Sequence, residues 1–374
     1  MVKVITKPGP KHLRTPKKKV SKVSFADRLL FWILLVAGLA VVLSYLSVFI
    51  SPRVSEIPMF FGYYYIPLVA LNVVLLFVAL FRHSYSAFIP IVALLPAIFH
   101  SDLFVKFGTE EKAAVEKGAV RIMTYNVGRY MAAGNGVSSE VAARQILNLI
   151  VQNNPDIVCL QEFITRDTSL ISSQLPDYPY RCGHFFHGSS YFGNITLSRY
   201  PIVGDTTITF TGSTNLCVKS DIAVGTDVVS VFNCHLESYS TSFTSVIKRL
   251  TKKGYFKEEF VNIHGHLGDA TMKRTEQVRK IQAVEAGNPY PSVICGDFND
   301  TPVSYTYRQL NKGRKDTFSE AGDGFSSTYS VLWPLLRIDY ILIPEEFGCA
   351  DHKVLRVPFS DHYPVISTIV HPTI

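Results

Sequence analysis

Polar side chains stand where several apolar runs in the second half of the chain end, a placement that brings functional groups to one edge of a sheet. A strand predicted over Arg121–Val127 carries Asn126 near its end, and two further runs deliver Glu162 and His235. Each residue alone has an ordinary structural explanation as a turn-forming amide, a solvated carboxylate or a hydrogen-bonded histidine. Together they predict a shared pocket.

A second group of candidates is more specific because its members have a defined spacing. Gly296 follows a buried run and permits the close approach of another backbone. Asp297 and Asn299 are two residues apart, so their side chains leave an extended segment on the same face. Asp339 lies beside apolar strand residues, where an unpaired carboxylate is costly, so it requires a partner such as an imidazole.

Asp361 and His362 supply an adjacent acid and imidazole in a turn before the last apolar run. A set of amide and carboxylate oxygens beside two imidazoles suits one chemistry. Hard oxygen ligands with few nitrogens select Mg²⁺ or Mn²⁺ over Zn²⁺, and the imidazoles can handle phosphate and protons. The candidate residues therefore predict metal-assisted attack of water on a phosphate ester.

The composition excludes several classes of protein. Of the 374 residues 47% are hydrophobic and 18% are charged, so the chain as a whole is not disordered, and six cysteines are too few for a disulfide scaffold. The net charge of +7 is concentrated in residues 1–28, which carry nine lysine or arginine residues and one aspartate. The remainder is close to neutral, which argues against avid binding of duplex nucleic acid.

Apolar runs follow this basic tail at about residues 29–50, 57–81 and 84–104, the third shorter and interrupted by prolines. A helix of about 20 residues spans a hydrocarbon core of roughly 30 Å. The length of the first run, and the second run directly after it, argue against a cleaved signal peptide. The sequence predicts two or three transmembrane helices within residues 29–107, and hence a multi-pass membrane protein.

Charge also predicts the sidedness of the chain. The basic tail, residues 1–28, is expected to stay in the cytoplasm. Three spans would then place everything after residue 107 outside the cytoplasm, whereas two spans would leave it inside. The oligomeric state is left open.

A polar linker, residues 108–119, precedes a domain predicted over residues 120–374. Short runs rich in valine, isoleucine and tyrosine alternate there with turns and amphipathic segments, which is typical of a mixed α/β sandwich. The predicted strands are Arg121–Val127, Asp156–Gln161, Gly193–Ser198, Ile202–Phe210, Asn215–Val224, Val228–Cys234, Ser292–Gly296, Ile338–Ile343 and Pro364–Val370. The predicted helices are Ser139–Gln152, Ser240–Lys253, Met272–Glu285 and Ser304–Leu310.

Motifs occur in a fixed order through this domain: Thr124-Tyr125-Asn126-Val127, Leu160-Gln161-Glu162, Gly193-Asn194 through Ser198-Arg199, Asn233-Cys234-His235, Gly296-Asp297-Phe298-Asn299, Arg337-Ile338-Asp339-Tyr340 and Ser360-Asp361-His362. On these motifs the domain resembles the endonuclease/exonuclease/phosphatase superfamily, the deoxyribonuclease I-like fold. The resemblance covers residues 120–374 and implies a four-layer α/β sandwich with two central mixed sheets, preceded here by the two or three transmembrane helices. The motifs are specific for the superfamily but say little about the substrate.

The resemblance also implies site residues, namely the metal ligands Glu162, Asn126 and Asp361, the catalytic residues His235, Asp297, Asn299, Asp339 and His362, and the substrate contacts Asn194 and Arg199. In these roles Asp297 orients or deprotonates the attacking water, and Asn299 holds a phosphoryl oxygen. His362, polarised by Asp339, contacts the phosphate, and His235 assists the leaving group. The implied cofactor is Mg²⁺, or Mn²⁺ in its place.

The sequence thus predicts a membrane-anchored hydrolase acting on a phosphate ester of a nucleic acid, a nucleotide or a phospholipid head group, by in-line attack of water. Whether it acts as a phosphodiesterase, a nuclease or a phosphatase is left open. The alternative is a catalytically inactive, membrane-tethered binding module on the same fold. The presence of every motif residue favours the enzyme, and apolar runs without internal charges argue against a transporter.

Overall fold

A computed structural model of the chain describes residues 24–107, 118–131, 137–165, 173–186, 191–239 and 256–371. Most of the predicted basic tail, residues 108–117 of the linker and the predicted helix Ser240–Lys253 lie outside the described residues. The strands are β1 Val105–Lys106, β2 Ala119–Asn126, β3 Ile157–Ile164, β4 Tyr180–Phe186, β5 Phe192–Ser198, β6 Ile202–Thr209, β7 Leu216–Val224, β8 Asp227–His235, β9 Ser292–Asp297, β10 Arg314–Asp316, β11 Gly324–Phe325, β12 Asp339–Pro344, β13 Gly348–Val354 and β14 Val365–Val370.

The longer helices are α1 Phe25–Leu46, α2 Ile57–Tyr63, α3 Tyr65–Phe81, α4 Phe88–Ile98, α5 Ser139–Asn153, α6 Phe256–Ala286, α7 Tyr305–Leu310 and α8 Thr317–Ala321. Each predicted strand is confirmed, with ends that differ by a few residues. The helix predicted at Met272–Glu285 is correct in position but too short, because α6 begins at Phe256.

Two six-stranded mixed sheets form the centre of the C-terminal domain. One has the strand order β13-β14-β2-β3-β5-β4, and the other has the order β10-β12-β9-β8-β7-β6. A core of β-branched and other apolar side chains fills the space between them, with Ile122 and Ile157 of the first sheet opposite Val231 and Val293 of the second. Because successive side chains of a strand point to opposite faces, alternate residues of each strand form this apolar inner face.

Helices cover the outer faces of both sheets. Ile146 and Ile150 of α5 pack on the first sheet, and Val278 and Ile281 of α6 pack on the second together with Leu310 of α7. The order of layers is therefore helix, sheet, sheet, helix. This is the four-layer α/β sandwich that the sequence predicts.

The N-terminal helices differ from the prediction of two or three transmembrane spans. Only α1, among the described helices, is by itself long and apolar enough to cross a membrane. The run at residues 57–81 is divided into α2 and α3, which meet at an angle of 74° and count as one more span only if the bent pair is taken together. The run at 84–104 gives α4, whose 11 residues fall short of a span.

Proline and glycine explain the break in the second run. Pro67 lies in the first turn of α3, where its ring excludes a continuous helix through the preceding turn. Gly62 of α2 packs so closely on Ser47 that an added Cβ would lie 2.6 Å from the Ser47 Oγ. The mean hydropathy of this run shows that it is apolar but does not show that it is divided into two helices.

Parallel strand pairs at the centre of each sheet bring the motif residues to one edge. In the first sheet β2 and β3 are parallel, with Asn126 opposite Gln161. In the second sheet β8 and β9 are parallel, with His235 opposite Asp297. The antiparallel strand β12 places Asp339 opposite Asp297 on the other side. The same edge of the sandwich therefore collects side chains from both sheets.

Candidate active site

The motif residues of both sheets form one group of side chains, the strand-end cluster: Asn126, Glu162, His235, Asp297, Asn299, Asp339 and His362. A direct contact joins the sheets, since Asn126 Nδ2 donates to Asp297 Oδ2 at 2.9 Å. The exposed fractions of these two residues are only 2% and 1%. Asn126 and Asp297 come from strands in different sheets, so this hydrogen bond fixes the width of the pocket between them.

Asp297 is held by the segment that follows it. The backbone N–H of Asn299 donates to Asp297 Oδ1 at 2.8 Å, and Asn299 Nδ2 donates to Asp297 Oδ2 at 3.1 Å. This tight turn gives Asn299 a φ of +51°. Gly296 has a φ of +124°, and a Cβ there would lie 1.9 Å from the carbonyl oxygen of Cys234. The predicted close approach at Gly296 is thus confirmed.

Asp339 has the imidazole partner that the sequence requires. His362 Nδ1 lies 3.0 Å from Oδ2 and 3.1 Å from Oδ1 of Asp339, and all three atoms are buried. Burial disfavours a charged His362, but the carboxylates of Asp339 and Asp297 outweigh it and hold the pKa of His362 well above its usual value. His362 Nε2 lies 3.8 Å from Asp297 Oδ2. A cationic imidazole therefore faces the Asp297 carboxylate.

His235 lies between two acids. Its Nε2 atom is 3.8 Å from Glu162 Oε1 and 3.8 Å from Asp297 Oδ2. The residue is 7% exposed, and this nitrogen has no hydrogen-bond partner among the described residues. A buried polar atom without a partner indicates a place for a ligand or water, since such atoms are rare in folded proteins.

Asp297 has an altered acidity. Burial raises the pKa of Asp297 to about 6, with His362 opposing this shift, Asp339 adding to it and His235 opposing it. A carboxyl group with a pKa near neutrality exchanges a proton readily at physiological pH, which is the property of a general base or acid.

The other predicted residues lie at different distances from this cluster. Ser360 Oγ donates to the carbonyl of Asn126 at 2.8 Å and lies 3.3 Å from Asp361 Oδ1, so Asp361 belongs to the same edge. Asn194 is 1% exposed, and its amide donates to the carbonyls of Leu216 and Asn233, both at 3.2 Å. Its side-chain amide therefore links β5 to β7 and β8.

Arg199 is not brought to the cluster. It follows Ser198, which pairs with Ile157 at the start of β3, whereas Glu162 lies near the end of that strand. Its guanidinium contacts Asn154 and lies over the ring of Tyr178 at 5.3 Å. These contacts place Arg199 at the opposite edge of the sheet.

The acids and histidines also form a group that could hold a metal ion. One ligand atom each from Asp297, Asp339 and His362 lie within 4.8 Å of one another, and all three residues are buried. This set differs from the ligands Glu162, Asn126 and Asp361 that the family resemblance implies. Asp339 and His362 already bond to each other, whereas Glu162 is partly exposed and its oxygens face Arg129 Nε and His235 Nε2. Hard oxygen donors at both places fit Mg²⁺ or Mn²⁺.

Three residues at this edge were not predicted from the sequence. Arg129 contacts Glu162, with Nε 3.1 Å from Oε2. The Tyr329 ring lies edge-on to His362 at 5.3 Å. Arg274 of α6 pairs with Asp300. Arg129 stands three residues after Asn126, a spacing that could have drawn attention to it, but no sequence signal indicates the other two.

Comparisons with known proteins agree with this fold. A family model described as the Endonuclease/Exonuclease/phosphatase family matches residues 123–362, and a domain of unknown function matches residues 27–103. The chain is similar to the solved endonuclease/exonuclease/phosphatase from Beutenbergia cavernae DSM 12333, with 19% identity and a TM-score of 0.51 over 68% of this chain and 72% of that one.

A family protein of solved structure from Bacteroides thetaiotaomicron has 17% identity and a TM-score of 0.50, over 68% of this chain and 98% of that one. None of the curated proteins compared matches the chain. At these identities the structural likeness supports the fold, and the family model spans the residues that contain the motifs.

Proposed function

This chain belongs to the endonuclease/exonuclease/phosphatase family, and on that premise we propose that it is a membrane-anchored, divalent-metal-dependent phosphoesterase. Members of this family hydrolyse phosphoester bonds. The observation that carries the proposal is the cluster itself, in which His235 and the Asp339–His362 pair converge on Asp297 from both sides, each imidazole Nε2 3.8 Å from the same oxygen. An inactive binding module has no need of this convergence.

The reaction follows from the charges of these groups. Asp297, ionised above its raised pKa, accepts the proton of the attacking water. His362 stays cationic beside Asp339 and stabilises the negative charge that develops on the phosphoryl oxygens. Asn299 orients Asp297 through Nδ2, which donates to Asp297 Oδ2 and to the carbonyl of Leu236. His235 lies on the other side of Asp297 and is the candidate for proton transfer to the leaving oxygen.

A divalent cation is the proposed cofactor. Glu162 would be its main ligand, with Asn126 and Asp361 from the same edge, because Glu162 and Asp361 are the acids of this edge that are partly open to solvent. When bound, Mg²⁺ or Mn²⁺ supplies charge neutralisation for the phosphoryl group.

Membrane anchoring is the second part of the proposal. From Leu29 onward the helix α1 carries no charged residue, and outward-facing side chains such as Trp32, Val36 and Leu39 are exposed by 60%, 65% and 55%. Exposed apolar side chains along a whole helix suit a lipid environment. Residues 29–107 would then form the membrane region, and residues 120–374 the catalytic domain. Its near-neutral charge favours a nucleotide or a phospholipid head group over duplex DNA.

Hydrolysis of bis-p-nitrophenyl phosphate by the full chain in detergent, with and without Mg²⁺, tests the proposal. We expect metal-dependent turnover that Glu162→Gln abolishes together with Mg²⁺ binding in titration calorimetry. Glu140→Gln, an exposed acid of α5 paired with Arg144, is the control. Equal turnover of wild type and Glu162→Gln would contradict the metal role. A screen of single-stranded DNA, RNA, inositol phosphates and sphingomyelin then identifies the substrate class.

A further inference from the structure

Arg129 lies in the active site although none of the motifs includes it. Its Nε atom is 3.1 Å from Glu162 Oε2, while His235 Nε2 lies 3.8 Å from Glu162 Oε1. The two oxygens of Glu162 thus face two different nitrogen groups. The Arg129 side chain is 38% exposed, so it stands at the opening of the pocket and not in its floor.

The backbone around Arg129 is strained in a way that aims the side chain inward. Gly128, Arg129 and Tyr130 are consecutive and have φ values of +52°, +54° and +59°. Left-handed backbone is unfavourable for arginine and tyrosine, and such residues gather at functional sites. Of the six non-glycine residues with positive φ in the described part of the chain, Arg129, Tyr130, Glu162 and Asn299 lie in or beside the strand-end cluster.

Contacts on every side hold this turn in place. The N–H of Gly128 donates to Asn126 Oδ1 at 3.0 Å, and the ring of Tyr130 packs edge-on against Phe163 at 5.8 Å. The guanidinium of Arg129 lies over the Phe192 ring at 3.9 Å from its centre. An ordinary surface ion pair needs neither a strained backbone nor an aromatic platform.

We propose that Arg129 is a substrate-binding residue whose guanidinium contacts a nonbridging oxygen of the substrate phosphoryl group, and that without a divalent cation it neutralises Glu162. The proposal rests on the proposed phosphoesterase function and names a further residue of that site. Arginine suits both partners, because its planar fork of N–H donors matches carboxylate and phosphate oxygens alike. When a cation binds Glu162, the Arg129 guanidinium is released to bind the phosphoryl group of the substrate.

The two halves of the proposal predict effects of opposite sign in one variant. Arg129→Ala is expected to weaken the binding of inorganic phosphate to the Mg²⁺-loaded protein about 10-fold or more, since a hydrogen bond to a charged group is lost. The same variant is expected to bind Mg²⁺ about 2- to 5-fold more tightly, because the competing cation is gone. Arg129→Lys keeps the charge but not the fork, so it should restore part of the phosphate affinity.

Titration calorimetry of the full chain with Mg²⁺ and with phosphate measures both effects, and KM for bis-p-nitrophenyl phosphate should rise with kcat changed less. Arg144→Ala, which removes an exposed arginine of α5, is the control, and thermal melting checks that each variant folds. Wild-type phosphate affinity and KM in folded Arg129→Ala would overturn the proposal, as would weaker Mg²⁺ binding. If the wild type itself neither binds Mg²⁺ nor turns over substrate, the failure lies with the phosphoesterase function.

Discussion

Arg274 and Asp300 form an ion pair in which neither side chain is more than 1% exposed, with Nε donating to Oδ2 at 3.3 Å. Asp300 directly follows Asn299 in the chain. The same guanidinium donates from Nη1 to the carbonyl of Glu237 at 2.7 Å, two residues after His235. One side chain of α6 therefore ties together the two segments that carry the site residues of the second sheet.

Tyr63 extends this network to the N-terminal helices, because Arg274 Nη2 donates to its hydroxyl at 2.6 Å. We expect Arg274→Met to lower the free energy of unfolding by about 3–5 kcal/mol, since it leaves a buried carboxylate without its partner. Tyr63→Phe removes the hydrogen bonds of the hydroxyl with Arg274 and Thr271 and should cost about 1–2 kcal/mol. Denaturant unfolding of the full chain in detergent measures both losses, and kcat should fall in the same order.

Lys273→Met is the matched control for these variants. Lys273 is the neighbour of Arg274 on α6 and pairs with Glu237 Oε1 at 2.8 Å, but its side chain is 52% exposed. A solvated ion pair contributes about 0–1 kcal/mol. A loss in Arg274→Met no larger than in Lys273→Met would show that the network does not hold the site segments.

Asp339 is expected to act through His362. Asp339→Asn removes the carboxylate that raises the pKa of His362, so the imidazole loses its charge at a lower pH than in the wild type. If the charged imidazole stabilises the transition state, kcat falls about 10²- to 10⁴-fold. The alkaline limb of the remaining activity also moves to lower pH. The profile of kcat/KM against pH measures both effects.

Asp323→Asn removes an exposed carboxylate a short distance along the chain and serves as the control. An Asp339→Asn variant with an unshifted alkaline limb would mean that the Asp339–His362 pair is structural. Reduced kcat alone does not distinguish the two roles, so the pH profile decides.

The central strands could be predicted because burial on both faces leaves continuous apolar runs, as in Asp156–Gln161 and Ser292–Gly296. Five strands were missed. Three of them, β4, β10 and β13, are edge strands with mixed sequences, such as Gly-Cys-Ala-Asp-His-Lys-Val in β13, and β1 and β11 form a separate pair of two residues each. An edge strand is partly exposed, so its sequence lacks the pattern that marks a strand. The motif residues could be predicted because they are polar side chains at the ends of these apolar runs.

Long-range contacts explain what the sequence could not predict. Arg274 lies on a helix whose sequence gives no sign that one arginine is buried, and its partners Asp300 and Tyr63 are 26 and 211 residues away. Arg129 is directed into the site by a left-handed turn that no residue type besides Gly128 suggests. Arg199 belongs to a sequence motif but lies at the far edge of the sheet, because β5 runs antiparallel to β3.

Gly296 is expected to be indispensable for folding. An alanine there combines a φ of +124° with a Cβ placed 1.9 Å from the Cys234 carbonyl oxygen, so β8 and β9 must separate. We expect Gly296→Ala to cost more than about 3 kcal/mol, in the range of severe substitutions.

Gly313→Ala isolates the backbone cost, because Gly313 has a φ of +70° and no atoms near its Cβ position. That control should lose about 1 kcal/mol in denaturant unfolding. Equal losses in the two variants would exclude steric separation of the strands.

His352 should make the fold sensitive to acid. It is 5% exposed, and its Nδ1 lies 2.9 Å from Thr317 Oγ1 and 3.0 Å from Ser367 Oγ. Burial, followed by the charge of Arg337, lowers the pKa of His352 to about 3. Below the usual histidine pKa of about 6.5 the unfolded chain binds a proton here that the folded protein excludes, so stability falls with falling pH.

Between pH 6.5 and 4 this one group is expected to remove about 1.4 kcal/mol of stability per pH unit. His352→Gln keeps an amide for the hydroxyls of Thr317 and Ser367 and abolishes the titration. As the pH falls, the unfolding free energy of the variant should therefore rise relative to that of the wild type. Taking that difference cancels the other titrating groups, including Asp297, whose raised pKa acts in the opposite direction in this window. His266→Gln, at an exposed histidine of α6, is the control. Denaturant unfolding at several pH values gives the slope, and a parallel course of His352→Gln and wild type would mean that His352 is protonated in the fold.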